Sequence, residues 1–395
     1  MEISYLLDWL SLLARWAHLI VGIAWIGSSF YFVWLDDSLE PPRTGNPRHL
    51  GELWSVHGGG FYNNVKFKGA PEKMPDTLHW FYWESYSTWI TGFFLLCTLY
   101  YAGAESYLID RSVADLSRYQ AIGLGLGFLA GGWVVYDLLC KVLHDHGRLL
   151  AAAVVAWCVV AAYALTHLFS GRGAFLHFGA MLATIMSANV FFVIIPGQRR
   201  MVAEMQAGEP VNPLWGARAK HRSVHNTYFT LPVLFCMISN HYATTYSARH
   251  AWLVLLAISL GGVLVRLFFV LKHKEAPRWW ILALALLIFA AVAWALRPAP
   301  VTGPAAGAAV PTYASVKKII DERCAVCHAA QPTFQGFPAA PKGVMLDTAE
   351  RVVAQATLVH QQTVLSKAMP IGNITNMTDD ERAVIDAWFR AGAKR

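Results

Sequence analysis

Eight stretches of about 20 apolar residues restrict this chain to a helical membrane fold. They lie near residues 10–34, 82–102, 119–140, 149–169, 174–196, 226–246, 251–271 and 278–297. At 1.5 Å per residue, a helix of about 20 residues crosses the hydrocarbon core of a bilayer. Helices are favoured there because they satisfy their own backbone hydrogen bonds without water. The sequence therefore predicts an all-α, eight-span transmembrane helix bundle over residues 1–297.

The basic residues are distributed unevenly between the connecting segments. The net charge is +7 although only 14% of the residues are charged. Segments after the first, third, fifth and seventh spans carry fifteen Lys and Arg, whereas those after the second, fourth and sixth carry four. Cytoplasmic loops of membrane proteins are enriched in Lys and Arg. We therefore expect both termini on the outer side, and we assign the positive charge to inner loops and not to nucleic-acid binding.

Composition changes after the last apolar stretch. Residues 298–312 are rich in Pro, Ala and Gly and predict a linker, and residues 313–395 have the composition of a small soluble domain. An amphipathic helix is expected over residues 314–323. Thr378 and Glu381 have the spacing of a capping box for a final helix, in which four apolar residues share one face: Val384, Ile385, Trp388 and Phe389.

The small domain contains the motif Cys324-Ala-Val-Cys327-His328. Cys-x-x-Cys-His is the attachment pattern of c-type haem, because two thiols bond the haem vinyl groups and the adjacent His binds the iron. A bare Cys-x-x-Cys would also suit zinc or thiol redox chemistry. The four other cysteines lie in apolar stretches and are expected to be inert core residues. The motif therefore predicts one covalent haem c.

A second iron ligand is expected near the final helix. Met369 precedes Pro370 about forty residues after the motif, as in class I cytochromes c, and a thioether ligand would raise the reduction potential. Three other residues compete for this role, and they are Met345, Met377 and His360. Met369 is the favoured ligand, which makes residues 313–395 a small class I cytochrome c domain.

Several histidines lie in the outer half of the predicted bundle. His18 is in the first span, His167 ends the fourth, His177 begins the fifth and His241 ends the sixth. Imidazoles from facing helices hold b-type haem in helix bundles. A membrane haem b is therefore a candidate cofactor, with His18 the favoured ligand. The alternative is that each histidine binds water or lipid headgroups at the interface.

A second polar group is expected on the inner side. Glu84 opens the second span, Arg266 lies in the seventh, and His57 precedes three glycines in the long segment 35–80. Ionisable groups inside a membrane are costly and mark functional sites. A His beside exposed amides could bind and deprotonate a flat polar substrate, and a planar guanidinium suits an anion. The alternatives are an ordered turn at His57 and a snorkelling side chain at Arg266.

Four segments together resemble the membrane-bound bacterial urate oxidase (urate hydroxylase) family. They are RWAHLIVGIAWIGSSFYFVWLD from residue 15, ELWSVHGGGFYNNVKF from residue 52, LHWFYWESYSTWITGF from residue 78, and CAVCH with its later Met-Pro. The resemblance covers nearly the whole chain. It implies an eight-span domain joined to a cytochrome c, in the bacterial inner membrane, with both termini and the cytochrome on the periplasmic side.

The same resemblance implies oxidation of urate toward 5-hydroxyisourate in purine catabolism. Electrons would leave through the cytochrome to a downstream cytochrome or terminal oxidase, without forming peroxide. Within this interpretation His57 or Glu84 is the candidate base, and Arg266 with the amides near Gly58–Gly60 would bind the anion.

Two other functions fit parts of the sequence. A relay that passes quinol electrons to the cytochrome needs no soluble substrate, but it leaves the His-Gly-Gly-Gly segment unexplained. A transporter with a fused electron tap predicts an internal repeat, and the sequence shows no convincing one.

Overall fold

A computed structural model describes residues 3–43, 45–274, 276–297, 311–334, 337 and 339–395. The chain is mostly helical, as predicted. Its N-terminal helices are α1 (Ile3–Asp37), α2 (Trp83–Leu95), α3 (Ala104–Tyr107), α4 (Arg118–Val142), α5 (Gly147–Leu168), α6 (Gly171–Ala188), α7 (Ile195–Ala207), α8 (Pro213–Ser239), α9 (Ala243–Tyr246), α10 (Ala251–His273) and α11 (Trp279–Ala295). Two π-helical segments continue helices directly: Leu96–Tyr101 follows α2, and Asn189–Ile194 joins α6 to α7.

Among the residues that the structure describes, five helical stretches are long and apolar enough to cross a membrane. They are Trp9–Asp37, Arg118–Val142, Gly147–Leu168, Gly171–Ala207 and Ala251–His273. Helix α11 is apolar but shorter, with 17 residues. The other two predicted spans coincide with α2 plus its π-helical continuation and with α8. The predicted span 226–246 was wrong at its end, because α8 stops at Ser239 and a turn precedes the short α9.

Helix α6 lies at the centre of the N-terminal bundle and packs against α4, α5 and α8. Glycines allow this close approach. A methyl group on Gly132 of α4 would collide with Met181, and one on Gly179 of α6 would collide with Cys236. Small residues let helix backbones approach closely in membranes. The packing leaves no residue of α6 exposed and buries the side chain of His177; Asn189, the first residue of the π-helical segment after α6, is also buried.

The segment after α1 corrects the all-α prediction. It forms an antiparallel hairpin of β1 (His49–His57) and β2 (Gly60–Phe67). Gly58 and Gly59 have φ of +59° and +80°, which suits a two-residue hairpin turn that other residues rarely adopt. Alternating apolar residues such as Trp54 and Val56 favour the strands. Gly58 and Gly59 therefore make a tight turn here, the alternative considered above, and Gly60 begins β2.

The C-terminal unit, described over residues 311–334, 337 and 339–395, has its own core. Its helices are α12 (Tyr313–Ile320), α13 (Ala349–Ala354), α14 (Ala356–His360) and α15 (Asp379–Arg390), with π-helical turns Asp321–Ala325 and Gln361–Leu365 and short 3-10 turns Pro341–Gly343 and Ile371–Asn373. The predicted capping box at Thr378 and Glu381 is confirmed. So is the apolar face of α15, where Ile385 and Trp388 are buried. Most of the predicted linker, residues 298–310, lies outside the described residues.

The C-terminal unit touches the bundle near α3. Gly372 has φ of +55°, and a methyl group there would lie 2.9 Å from the carbonyl oxygen of Ser106 and 3.0 Å from that of Ile109. Only a residue without a side chain fits both this backbone conformation and this approach. The contact brings the segment after Met369 against the end of the bundle that carries α3.

Candidate functional site

The Cys-x-x-Cys-His motif lines a cavity of about 580 Å³. Cys324 lies in the π-helical turn that continues α12, and Cys327 and His328 follow in the next turn. Both cysteines are buried and unpaired. The motif therefore places two cysteines and one histidine in the wall of a single cavity.

Hydrogen bonding fixes the orientation of His328. Its Nδ1 donates to the carbonyl oxygen of Val344 at 3.0 Å, and its backbone N–H donates to the carbonyl of Cys324 at 2.8 Å. An imidazole that donates through Nδ1 keeps Nε2 unprotonated and available to a metal. His328 therefore has the arrangement expected of an iron ligand.

Met369 is placed in the same cavity, whereas its competitors are not. His360 is buried, with Nε2 2.8 Å from Asp386 and its ring stacked on Phe389. Met377 is a core residue of the C-terminal unit, and Met345 lines no part of this cavity. The geometry favours Met369 as the residue that faces the ligand space together with His328.

Arg382 of α15 fixes the segment that carries Met369. Its guanidinium donates to the carbonyl oxygen of Met369 at 2.9 Å and also to that of Thr363. Arg382 is only 7% exposed, so these bonds form where water does not compete. A single buried arginine thus ties the Met369 segment to the final helix, a role that the sequence alone did not indicate.

The two thiols are poorly suited to redox exchange. Burial raises the pKa of Cys324 to about 12, and burial also raises the pKa of Cys327. Thiol exchange needs the thiolate, which reactive cysteines form at a lowered pKa. Within the described residues there is also no group of three His, Cys, Asp or Glu that could hold a metal ion. The donor set instead suits a c-type haem, whose attachment uses two thiols and whose iron accepts His and Met ligands.

Two of the four histidines proposed for a membrane haem, His18 and His177, are separated. His18 of α1 lies 2.9 Å from the hydroxyl of Thr91, while His177 of α6 lies 3.3 Å from the hydroxyl of Tyr101. Thr91 and Tyr101 are ten residues apart on α2 and its continuation, or about 15 Å along a helix. These contacts place His18 and His177 too far apart to bind one iron.

The remaining contacts of these histidines are local. His177 Nδ1 donates to the carbonyl of Gly173 at 2.8 Å, so both of its ring nitrogens have protein partners. His167 donates to the carbonyl of Tyr163 and stacks on its ring. His241 instead lines the cavity that contains Cys324. The residues in place therefore do not fit a haem held by His177.

The three inner-side candidates lie in different environments. His57 is exposed at the hairpin turn, and the neighbouring Phe61 is 78% exposed. Glu84 is in the first turn of α2, where its buried Oε2 has no hydrogen-bond partner. Within the described chain no hydrogen bond or salt bridge joins either residue to Arg266. The structure therefore does not assemble the three into one contact cluster.

Arg266 of α10 is buried without a hydrogen-bonded partner at two of its nitrogens. It is 4% exposed, its Nε and Nη2 are unbonded, and its Cζ lies 3.9 Å from the centroid of the Phe30 ring. Tyr228 and Asp37 are near enough to interact electrostatically with it, and His273 has an unbonded buried Nδ1 nearby. Unsatisfied buried polar groups are rare and costly, so this cluster is a candidate anion site.

A second buried arginine was missed because it was counted as a loop charge. Arg222 lies inside α8, where its Nη2 donates to Asp137 of α4 at 2.6 Å and its Nη1 to Asn189 at 3.3 Å. Asn189 in turn donates to Asn226 at 2.9 Å. His225 Nδ1 lies 2.8 Å from the Tyr136 hydroxyl beside this group. These residues form a hydrogen-bonded network between α4, α8 and the π-helical segment that follows α6.

A periodicity signal for the network was present in the sequence. Arg222 and Asn226 are four residues apart, so they share one face of a helix. Helix α8 begins at Pro213, well before the apolar stretch 226–246 that predicted the span, so Arg222 is part of the same helix. Asp137 lies inside the third apolar stretch, 119–140. A charged residue in each of two neighbouring spans predicts such a pair.

Comparison with known proteins gives one match. A family model described as Urate oxidase N-terminal matches residues 4–297. No curated protein and no solved structure matches the chain. The matched region contains the helices α1 to α11, the hairpin and Arg266. Because it covers about three quarters of the sequence, the protein belongs to the urate oxidase N-terminal family.

Proposed function

We propose that the protein is a membrane-bound oxidoreductase that converts urate and water into 5-hydroxyisourate, two protons and two electrons. The electrons pass one at a time to a haem c in the C-terminal unit, and from there to a downstream cytochrome or terminal oxidase. The family match over residues 4–297 is the observation that carries the substrate class. The cavity of the Cys-x-x-Cys-His motif supports the route by which the electrons leave.

Four residues would hold the haem. Cys324 and Cys327 would form the thioether bonds, and His328 and Met369 would bind the iron. When bound, the haem accepts single electrons at a potential raised by the thioether ligand. Arg382 keeps Met369 in place, because it donates to the carbonyl oxygen of Met369 and to that of Thr363.

Urate is proposed to bind at Arg266. The unbonded Nε and Nη2 can donate in parallel to an anionic or carbonyl edge, as guanidinium groups do with planar anions. A bound anion would also relieve the cost of an unpaired buried charge. The Phe30 ring beside the guanidinium provides an apolar surface for a flat molecule. This pairing of an unbonded arginine with an aromatic ring favours Arg266 over a snorkelling role.

A base must take protons from urate as the electrons leave. Glu84 is the better placed candidate, because its Oε2 is buried and unbonded at the start of α2. His57 is exposed at the hairpin turn, so it would serve a substrate that approaches from the inner solution. Variants of the two residues separate these roles through the pH dependence of the rate.

The proposed topology follows the loop charges. Eight helices cross the bacterial inner membrane, and both termini lie on the periplasmic side with the C-terminal unit. The five stretches that are long and apolar enough support this arrangement, together with α2, α8 and α11. The Arg266 cluster then lies toward the cytoplasm, where purine catabolism supplies urate.

The test is anaerobic addition of urate to the purified full-length protein in detergent. Rapid appearance of the reduced c-type absorbance, without peroxide and in proportion to 5-hydroxyisourate formed, is the expected result. The matched control is Cys324→Ala/Cys327→Ala, which removes covalent haem and leaves the bundle intact. Reduction by a quinol but not by urate would overturn the proposal and favour the relay.

A further inference from the structure

The cavity that contains the haem-binding motif is shared by the two parts of the molecule. Its wall includes Cys324, His328 and Met369 from the C-terminal unit, and Tyr107, Arg172 and His241 from the bundle. Gly372 makes the backbone contact with Ser106 beside it. A ligand of this cavity therefore meets side chains from both parts.

The charges around this cavity have one sign. The charged residues among its described lining are Arg15, Arg172, Arg323 and Lys342, with no Asp or Glu. Arg323 is already paired, because it forms a salt bridge of 2.9 Å with Glu381. Arg15 and Arg172 form no salt bridge within the described residues. The uncompensated positive charge of the cavity wall therefore comes partly from the bundle, and it predicts an anionic ligand.

Arg172 is held where an anion is favoured. It lies in the first turn of α6, where the helix N-terminus adds a partial positive charge. That turn contains no acidic residue to offset the charge. Its Nη2 is 3.4 Å from the carbonyl of Asn240 and 3.5 Å from the hydroxyl of Tyr246, and its Cζ lies about 6 Å from the ring centroids of Tyr107 and Tyr246. These contacts fix the guanidinium and leave other N–H groups free.

We propose that Arg172 and Arg15 of the bundle bind the propionate carboxylates of the haem that is attached to the C-terminal unit. This inference rests on the proposed function, because it requires a c-type haem in the cavity. A haem bonded to protein through its vinyl groups presents its two propionates at the other edge of the ring. Two arginines are the residue type that binds carboxylates most specifically. The cofactor then joins the two parts, and its own charge holds the docked arrangement.

The first test is a redox titration of the full-length native protein and of three variants. They are Arg172→Gln, Arg15→Gln and the double variant that combines both changes. Removing positive charge near the haem disfavours the added electron, so the midpoint potential falls in each variant and furthest in the double variant. Arg172→Lys keeps the charge and recovers most of the shift. Arg249→Gln is the matched control, since Arg249 lies on the same side of the bundle but outside this cavity. An unchanged potential in the double variant overturns the inference.

The second test does not depend on the haem signal. Hydrogen exchange at α3 and α9 is compared between the native protein and Cys324→Ala/Cys327→Ala, which lacks the covalent haem. Faster exchange in the haem-free protein, and in Arg172→Gln, is expected because the joining contacts are lost. Equal exchange in all three proteins contradicts the inference.

Different results would contradict the proposed haem c and the proposed role of the two arginines. A native protein that shows no covalent haem by denaturing gel and pyridine haemochrome contradicts the cytochrome assignment itself. A native protein that carries haem, but has the same potential and exchange as Arg172→Gln, contradicts only the role of the arginines.

Discussion

Two buried arginines on neighbouring helices have opposite surroundings. Arg222 of α8 is 5% exposed and bonds Asp137 at 2.6 Å and Asn189 at 3.3 Å. Arg266 of α10 is 4% exposed and has two nitrogens without a hydrogen-bond partner. A buried charge needs compensation. Arg222 is compensated by a carboxylate and an amide of the protein, whereas two nitrogens of Arg266 have no hydrogen-bond partner among the described residues, so burial alone does not identify a binding residue.

The largest expected effect is on the paired arginine. Asp137→Ala leaves Arg222 buried without its carboxylate, and breaking a buried ion pair costs about 3–5 kcal/mol of stability. The midpoint of SDS-induced unfolding measures this loss. Asp145→Ala is the control, because Asp145 is exposed and its only described ion pair is with the exposed His144. Equal stability of the two variants would mean that the network is not structural.

The next largest effect is on the unpaired arginine. Under the proposed function, Arg266→Gln removes a charged donor to urate, which costs about 2–5 kcal/mol. The rate of haem reduction by urate should fall roughly a hundredfold, at about 1.4 kcal/mol per tenfold. Stopped-flow absorbance measures the rate. Arg218→Gln, an exposed arginine of α8, should keep it, and a normal rate in Arg266→Gln removes this residue from the site.

A third change tests how far the network extends. Asn189→Ala removes the acceptor of Arg222 and the donor to Asn226. Leaving a buried partner unsatisfied costs about 1–3 kcal/mol. The midpoint of SDS-induced unfolding should fall, as in Asp137→Ala, but by a smaller amount. The exposed Asn63 of β2 provides the control, and a shift no larger than that of Asn63→Ala would restrict the network to the ion pair.

The smallest effect gives the clearest contrast. Replacing an uncompensated buried charge with an apolar residue of similar length stabilises a protein by about 1 kcal/mol or more. Arg266→Met should therefore raise the SDS unfolding midpoint without restoring the reaction, whereas Arg222→Met should lower it. A lowered midpoint in both variants would show that Arg266 already has a structural partner.

Apolar length and one short motif predict much of this molecule from its sequence. Helices occur at each of the eight expected stretches, because an apolar helix satisfies its own backbone hydrogen bonds without water. Cys324, His328 and Met369 line one cavity, which is where the spacing of the motif and the later Met-Pro would require them to lie. The capping box of Thr378 and Glu381 depends only on two residues three positions apart, so the sequence alone predicts it.

Other features depend on contacts that sequence order does not show. Three glycines after His57 fit a ligand loop and a hairpin turn equally well, and the alternation of Trp54 and Val56 was the overlooked sign of a strand. Arg222 was assigned to a loop because its partner, Asp137, lies 85 residues away. The separation of His18 from His177 follows from where each helix crosses α2, which periodicity does not specify.

The close approach of Gly372 to the backbone of Ser106 has a consequence for kinetics. Stable complexes between separate proteins usually need an interface of at least about 1,200 Å². Here both partners belong to one chain, so docking is unimolecular and the effective concentration of each partner is independent of the protein concentration. A contact too small to hold two free proteins together can therefore suffice. Under the proposed function, the rate of electron delivery to the C-terminal unit should accordingly not change when the protein is diluted.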